Sequence, residues 1–278
     1  MKIREIEEAD VPSITTLFSE AFPRRRATYW QRGFENMRRL PAIPGRTRYG
    51  YLFEADEKVR GVLLSLSTQI GDACPRVNLS SWYAHPSYRM TAGLLHARVM
   101  NQKSGSYLNL SPAENVVPML DALGFKPYTA GVCLLDARVA LCPSRGWQLT
   151  RYDPSKTNVL PAALTTTAER HHRYGCTVLM LHYGSAPAEL LIYRVKWIKG
   201  ILPCAQMIFG APEQVLAAAG PLMRHLLRRA IPLALVDIIE PCNMFGARTY
   251  AGRNLRYSHG TAPAVGDMLD SEFALFGP

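Results

Sequence analysis

The sequence predicts an α/β chain of two similar lobes, each a mixed, mostly antiparallel sheet flanked by helices. Apolar runs of strand length alternate with stretches of helical spacing along the 278 residues, which is typical of sheets covered by helices. The length suits one large domain or two ordinary ones. The order of elements found before residue 136 begins again after residue 147, which indicates an internal duplication. An unrelated C-terminal α+β domain is the alternative.

Local patterns predict the elements of the first half in chain order. Residues 1–6 alternate like a short strand. Asp10 is a suitable N-cap for a helix whose apolar residues recur at helical spacing up to Phe22. A second, more polar helix ends where "PAIPG" brings two prolines and a glycine. The remaining elements are a hairpin at 48–70, a strand at 76–85, a helix at 89–103, a strand at 106–111, a helix at 113–125 and a closing strand at 128–136.

The second half repeats much of this order after a junction at "CPSRGWQ". We therefore predict one lobe over residues 1–140 and another over 141–278. The Gly- and Arg-rich stretch 246–260 is expected to be either a loop that reaches the acceptor cleft or an ordinary hairpin. The predicted elements are a strand at 147–153, a helix at 158–174, strands at 176–183, 189–198 and 201–210, a helix at 212–230 and a strand at 232–239.

Composition is typical of a globular protein. Hydrophobic residues make up 48% of the chain and charged residues 19%, which excludes a disordered chain. No apolar run approaches the roughly 18–20 residues of a membrane span, and "MKIREIEEAD" lacks the apolar segment of a secretory signal. We therefore expect a cytoplasmic protein without a membrane partner. The six cysteines form no C-x-x-C pair, so we expect free thiols and no metal site.

The net charge of +10 is spread evenly. Residues 1–140 carry 18 Lys and Arg against 13 Asp and Glu, and residues 141–278 carry 14 against 9, so each half has a net charge of +5. A diffuse excess favours anionic ligands in general. Because there is no basic tail, basic helix or recognition motif, a nucleic-acid partner is disfavoured.

Two stretches of the first half resemble the GNAT acyltransferase family. One is "SSWYAHPSYRMTAGLLHARVM" at 80–100, with a strand, a proline, an aromatic-Arg pair and a glycine-bearing turn into a helix. The other is "SPAENVVPMLDALGFKPY" at 111–128, where a helix ends in Leu-Gly-Phe before a final strand. The resemblance covers roughly residues 1–136. It implies a mixed sheet that opens to admit acyl-CoA, and it extends to the second half only as a degenerate GNAT-like lobe.

The turn before the helix at 89–103 is suited to an anion whatever its family. Helix N-termini leave N–H groups without partners and carry partial positive charge, which makes them sites for a pyrophosphate. Arg89 lies at this terminus and can add a charge-assisted contact. The resemblance implies that this turn and the strand before it bind acetyl-CoA or another acyl-CoA. The implied contacts are Trp82, Tyr83, Ala84, Arg89, Met90, Thr91, Ala92, Gly93 and Leu94.

The sequence departs from the family pattern in two places. The turn has Met90, Thr91 and Leu94 at positions that the family fills with glycine or basic residues. The family's frequent general-acid tyrosine lies five residues before the Phe of Leu-Gly-Phe, a position that is Leu120 here.

Acyl transfer to an amine needs a base, a polarised carbonyl and a donor for the leaving thiolate. His85 follows the strand that the resemblance places beside the thioester, so it is a candidate base; the alternative is a histidine that caps the turn. Tyr83 and Tyr107 are candidates for the missing tyrosine, or simply strand aromatics. Glu114 is a third candidate, although a carboxylate at a helix start is explained by the helix dipole alone.

A cluster of Arg24, Arg25, Arg26, Tyr29 and Trp30 is the candidate acceptor site. Three arginines and two aromatic rings suit an anionic amine or a stacked sugar. A solvated helix junction is the alternative. The pair His171-His172 is expected at the surface, because adjacent helical residues diverge by about 100°.

These observations predict an acyl-CoA-dependent N-acyltransferase that moves an acetyl or short acyl group to the primary amine of a small or sugar-linked acceptor. A catalytically degenerate GNAT-like protein that only binds a ligand is the first alternative. A basic nucleic-acid or protein-binding module is the second. In the second half, Pro212 and Glu213 stand where a phosphate site would need Gly and Arg, so we expect no acyl-CoA there. A homodimer is compatible with the sequence.

Overall fold

The computed structural model describes residues 1–69, 74–102, 105–155 and 160–278. They form two compact units, Met1–Lys126 with Arg256–Ala262, and Pro127–Leu255 with Pro263–Pro278. Three predicted elements extend beyond the described residues: the end of the hairpin at Ile70, the end of a helix at Lys103, and the start of a helix at 158–159.

The first unit contains a seven-stranded mixed sheet with the strand order β1-β2-β3-β4-β5-β14-β6. Strands β1 to β4 are antiparallel to one another, β4 and β5 are parallel, and β14 is antiparallel to β5. Its strands are β1 Lys2–Glu5, β2 Gly50–Ala55, β3 Lys58–Thr68, β4 Arg76–Ala84, β5 Ser106–Asn109, β6 Lys126–Pro127 and β14 Tyr257–His259. Its α-helices are α1 Val11–Ala21, α2 Ala27–Arg38, α3 Gly93–Met100 and α4 Val117–Ala122.

The second unit repeats this plan with the strand order β13-β7-β12-β11-β10-β9-β8. Only β11 and β12 are parallel; the other neighbours are antiparallel. Its strands are β7 Gly131–Asp136, β8 Trp147–Arg151, β9 Thr177–Tyr183, β10 Glu189–Ile198, β11 Leu202–Phe209, β12 Leu233–Ile238 and β13 Ala247–Ala251. Its helices are α5 Ala162–Arg173, α6 Pro212–Ala217, α7 Ala219–Leu227 and α8 Glu272–Leu275. The predicted pair of α/β lobes is confirmed, and both sheets are mixed.

Strand β7 corrects the predicted path of the chain. It was expected to close the first sheet, yet its residues pair with β12 and β13 in the second. The vacated place beside β5 is taken by β14, at the far end of the sequence. The stretch 246–260 is therefore neither a simple hairpin nor one loop, because β13 and β14 lie in different sheets. An apolar strand such as β7 can complete either sheet, so local pattern alone does not decide its partner.

Burial explains why the elements form where they do. In the first unit, the apolar residues of α1 at helical spacing, Ile14 and Phe18, are fully buried. In the second unit, one face of the sheet packs with α6 and α7 to form a core that includes Leu181, Ala205 and Leu222. Among the described residues, no helix combines the length and apolar character that a membrane crossing requires.

His171 is the second correction to the sequence prediction. It was expected at the surface, but its side chain is fully buried, while its neighbour His172 is exposed. Its Nδ1 lies 2.9 Å from the Thr167 carbonyl oxygen, and its Nε2 accepts the Asp270 N–H at 3.1 Å. Both ring nitrogens are thus engaged inside the second unit. Because adjacent helical residues point about 100° apart, only one of the two histidines lies at the surface.

Candidate functional site

A fork between β4 and β5 is the main irregularity of the first sheet. The two parallel strands pair through only three positions, Arg76 with Ser106, Val77 with Tyr107 and Asn78 with Leu108. The buried Asn78 amide lies at the branch point, where its Nδ2 donates to the Leu108 carbonyl at 3.4 Å and to the Leu79 carbonyl at 3.3 Å. Beyond Asn78, β4 continues for six residues without β5 beside it.

A β-bulge shapes the free part of β4. Tyr83 lies opposite Val62 and Ser80 opposite Leu64, so two residues of β4, Ser81 and Trp82, oppose one residue of β3. Ser81 has a φ of 51°, a left-handed conformation that costs a non-glycine residue energy and is held by the surrounding pairing. No described strand pairs with 79–84 on the side facing β5. Backbone N–H and C=O groups on that edge are therefore available to a ligand.

The start of α3 lies directly after this strand. A 3₁₀ segment at Pro86–Thr91 leads into Gly93–Met100, and no side chain caps the first N–H groups of α3. A Cβ atom added at Gly93 would meet nothing within 4 Å, so the space before the helix is open. Arg89 is exposed, and its guanidinium makes no hydrogen bond or ion pair within the described part of the chain. The N–H groups of Ala92 and Leu95 donate to backbone carbonyls, which leaves the first N–H groups of α3 itself, beside the uncommitted Arg89 guanidinium, as a candidate site for an anion.

The other predicted contacts in the turn fall into two groups. Met90 is 98% exposed and Leu94 is 47% exposed, which is unusual for large apolar side chains and places them where a ligand could cover them. Thr91 and Ala92 serve the turn itself: the Thr91 hydroxyl donates to the Tyr88 carbonyl at 2.8 Å, and Ala92 is buried.

His85 caps the turn. Its Nδ1 accepts the Ser87 N–H at 3.3 Å, which requires an unprotonated Nδ1 and leaves the proton of the neutral ring on Nε2. To remove an amine proton, Nε2 would need a free lone pair. The neutral ring would then carry its proton on Nδ1, which could no longer accept the Ser87 N–H. The structure thus favours the capping alternative over the predicted base.

Tyr83 and Trp82 lie on the bulged strand, as predicted, and contact different helices. The Tyr83 ring is 6.3 Å from the Phe22 ring at the end of α1. The Trp82 ring is 4.6 Å from the His96 imidazole of α3, with an interplanar angle of 85°. Both strand aromatics are partly exposed.

His96 is the residue of this region that the sequence analysis missed. It is fully buried, and neither ring nitrogen has a hydrogen-bond partner in the described residues. The Nε1–H of Trp82 beside it also has none. Burial lowers the pKa of His96 to about 4, so the ring is neutral at physiological pH. The sequence does contain a signal for the burial of His96. This histidine lies four residues after Ala92 and three before Val99, and this spacing places it on the inner face of α3.

The predicted acceptor cluster divides into exposed and buried residues. Arg24, Arg25 and Arg26 are exposed in the loop between α1 and α2, and Arg25 lies over the Tyr29 ring at 4.5 Å. Trp30 is only 3% exposed and packs against Phe18. Trp30 therefore belongs to the core and does not present its ring to a ligand. Because Phe22 contacts Tyr83, the loop that carries the arginines begins beside the fork.

The remaining candidates for chemistry contribute less. Glu114 is exposed in a short 3₁₀ segment, and its carboxylate has no hydrogen-bond or ion-pair partner in the described residues. The Tyr107 ring is buried, and its hydroxyl is within hydrogen-bond distance of three backbone carbonyls, the nearest that of Gln102 at 3.0 Å. Leu120, at the position of the family tyrosine, is completely buried. Within the described ranges, no three His, Cys, Asp or Glu side chains are placed to hold a metal ion.

Comparison with known proteins identifies the fold. A solved GCN5-related N-acetyltransferase from Anabaena variabilis matches 97% of this chain and 74% of its own, with a TM-score of 0.59 at 10% identity. A tandem GNAT protein from the clavulanic acid biosynthesis pathway matches 95% of this chain and 99% of its own, with a TM-score of 0.51 at 14% identity. This chain has a tandem GNAT fold. Eis1 from Mycobacterium abscessus is similar over 96% of this chain and 74% of its own, with a TM-score of 0.50 at 14% identity. No family model and no curated protein matches the sequence.

The fork of the first GNAT unit fits an acyl-CoA on its own geometry. The cofactor combines a pyrophosphate with an extended, amide-bearing arm that ends in the thioester. An uncapped helix start beside Arg89 suits the pyrophosphate, and the unpaired β4 edge offers backbone groups to the amides. At identities of 10–14%, similarity shows the fold alone, and a function has to be argued from these local features.

Proposed function

We propose that the chain is an acyl-CoA-dependent N-acyltransferase whose cofactor site is the fork of the first unit. The observation that carries the proposal is the continuous run from the open β4 edge, through the bulge at Ser81, to the uncapped start of α3. Acyl-CoA supplies an activated acyl group as a thioester. Trp82, Tyr83 and Ala84 would line its arm.

Two kinds of group near the fork could serve the reaction: backbone N–H groups for the oxyanion and a side chain that donates a proton. Backbone N–H groups near the bulge are the available donors for a developing oxyanion, because they lie on the free edge of β4 and do not depend on side-chain rotamers. His85 is committed to the turn and Leu120 is buried. Tyr83 is therefore the one side chain of the predicted catalytic set that is on the strand, partly exposed and able to donate a proton.

The acceptor we propose is a small anionic or sugar-linked primary amine. Arg24–Arg26 place three exposed positive charges on a loop that starts at Phe22, in contact with Tyr83. Guanidinium groups bind carboxylate or phosphate through paired hydrogen bonds. The Tyr29 ring, already paired with Arg25, offers a face beside them.

A ligand-binding protein without catalysis is the second candidate, and a specific observation favours it. The position of the general-acid tyrosine is a buried leucine, and the histidine of the turn is occupied as a cap. Such a chain would bind acyl-CoA at the same fork but would not release free thiol faster than solvent hydrolysis.

Two measurements separate the candidates. Thiol release from acetyl-CoA, followed with a library of anionic, amino-sugar and neutral amines, should show amine-dependent turnover if the chain is an N-acyltransferase. Calorimetric titration of acetyl-CoA against the unaltered protein and Arg89→Ala tests the site itself. A charge-assisted hydrogen bond contributes on the order of 1.5–3 kcal/mol, so Arg89→Ala should weaken binding roughly 10- to 100-fold. Binding without turnover would support the second candidate, and unchanged affinity in a folded variant would remove Arg89 from the site.

A further inference from the structure

The second unit contains a fork of the same form as the first. Its parallel strands also pair through only three positions, Cys204 with Leu233, Ala205 with Ala234 and Gln206 with Leu235. Gln206, at the third position, is buried, and its Nε2 donates to the next carbonyl along the strand at 3.3 Å, as Asn78 does. A register shift opposite Ile192 and Tyr193 gives β11 a bulge as well.

The edge of β11 that faces this fork is occupied by the chain itself. We define Pro263–Pro278 as the C-terminal segment. Phe209 pairs with Asp267 in an antiparallel bridge, the Gly210 N–H donates to the Gly266 carbonyl at 3.2 Å, and the Met268 N–H donates to the Ile208 carbonyl at 2.8 Å. The opposite edge of β11 is already paired with β10, where Phe209 lies opposite Ile192. The C-terminal segment therefore lies on the edge that β12 has left.

Close approach of the backbones makes this pairing specific. A Cβ atom on Gly266, which has a φ of 87°, would lie 2.2 Å from the Gly210 carbonyl oxygen. Only glycine permits both this conformation and this contact. The sequence carries glycine at this position of close contact.

The residues that follow hold the C-terminal segment in the core of the unit. Asp270 forms an ion pair with Arg170 at 2.7 Å, and its N–H donates to His171. The Ala274 carbonyl accepts a hydrogen bond from Nη1 of Arg194 at 2.5 Å. Leu275 is fully buried, and Phe276 is 3% exposed. Displacing the C-terminal segment would uncover these apolar side chains and leave buried charges without partners, which is costly.

We infer that the C-terminal segment is the permanent occupant of the second fork, so that the chain takes acyl-CoA in its first unit alone, one molecule per chain. Among the described residues, no strand pairs with this edge in the first unit, whereas in the second unit the C-terminal segment pairs with it. The number of sites rests on the proposed function; the occupancy of the second fork does not. The second fork is thus filled by the chain's own backbone, through the pairing at Phe209, the close contact at Gly266 and the ion pair of Asp270.

A covalent lock and amide exchange test this inference. Cysteines at Phe209 and Asp267 should form a disulfide across the bridge, because directly opposed antiparallel residues are within disulfide range. The F209C/D267C protein is compared oxidised and reduced with dithiothreitol, with each single variant as a matched control and intact mass to verify the bond. Acetyl-CoA stoichiometry is measured by calorimetry, alone and with Arg89→Ala. Hydrogen exchange of peptides that contain Gly210 and Met268 is followed with and without acetyl-CoA.

The expected result is one acetyl-CoA per chain in the unaltered and locked proteins, with affinities within about twofold, and slow exchange at Gly210 and Met268 that acetyl-CoA does not change. Two molecules per chain, loss of binding on locking, or faster exchange at these amides with acetyl-CoA would overturn the inference. Absence of binding in every protein, with both amides protected and unchanged by acetyl-CoA, would refute the proposed function and still support occupancy of the second fork by the C-terminal segment.

Discussion

Gly93 allows the proposed cofactor site to be tested by charge without a change in packing. It is the first residue of α3, and an added Cβ would meet nothing within 4 Å. Gly93→Asp would place a carboxylate at the helix start, where it is favourable for the helix by roughly 0.3–1 kcal/mol. The same carboxylate would repel a pyrophosphate bound there. The fold should therefore keep or gain stability while cofactor affinity falls.

The magnitude follows from Coulomb's law. Two unit charges about 5 Å apart at an effective dielectric constant of about 20 repel by roughly 3 kcal/mol, which corresponds to roughly a 100-fold loss of affinity. Salt screening lowers this figure, so the loss should shrink as ionic strength rises. Calorimetric titration with acetyl-CoA at low and high salt, beside thermal melts, measures both effects.

Gly93→Asn and Gly93→Ala are the matched controls. Asparagine has nearly the size of aspartate without its charge, and alanine tests the loss of glycine alone. Both should bind acetyl-CoA within about threefold of the unaltered protein, and alanine should raise stability by about 0.5–1 kcal/mol. If Gly93→Asp bound acetyl-CoA as well as Gly93→Asn does, the pyrophosphate would not lie at this helix, and the reasoning would be refuted.

Two further predictions concern the acceptor and pH. Replacing Arg24, Arg25 and Arg26 with alanine should raise the acceptor KM while acetyl-CoA affinity stays nearly constant; an unchanged KM would remove the cluster from the acceptor site. Burial lowers the pKa of His96 to about 4, so the unfolded chain binds more protons below its ordinary pKa of about 6.5, and the free energy of unfolding should fall from pH 6.5 towards pH 4. Urea unfolding at pH 7.0 and 5.0 should show about 2 kcal/mol less pH dependence in His96→Phe than in the unaltered protein; equal dependence would contradict it.

The sequence predicted the first fork better than it predicted the paths of the strands. The strand, turn and helix around Arg89 are local, and periodicity with a proline and a glycine marks their boundaries. The bulge at Ser81 was not predictable, because its positive φ results from pairing with β3 and no glycine marks it. Likewise, 3.6-residue periodicity separates His171 from His172 without saying which one faces inward.

The C-terminal segment escaped prediction for a related reason. Around Gly266 and Asp270 it has neither strand nor helix periodicity, and its structure comes from long-range contacts with β11 and α5. The prediction of a poor phosphate site in the second half rests on Pro212 and Glu213, which lie in the first turn of α6. These two residues did not predict that the C-terminal segment fills the rest of the second fork.

Strand β7 pairs in the second sheet, and β14, from the far end of the sequence, pairs in the first. We therefore predict that the first half of the sequence does not fold independently. A fragment of residues 1–140 would lack β14, which pairs with β5 through three positions, and Arg256, which donates to the Leu110 carbonyl. It would instead carry β7 without its partners.

Val132, Cys133 and Leu135 of β7 are at most 1% exposed in the whole chain, where they pack with residues of the second unit. Fragment 1–140 would expose these three apolar side chains, each worth roughly 1.5–3 kcal/mol of burial, so it should aggregate, and without β14 its first sheet should be less stable. Ending the fragment at 127 and joining residues 255–262 through a flexible linker supplies β14 and removes β7, and this version should remain monomeric in sizing chromatography and melt cooperatively. A cooperative melt of monomeric fragment 1–140 at the same temperature as the linked fragment would show that neither strand matters to the first unit, because the linked fragment restores β14 beside β5 and β6 and removes β7.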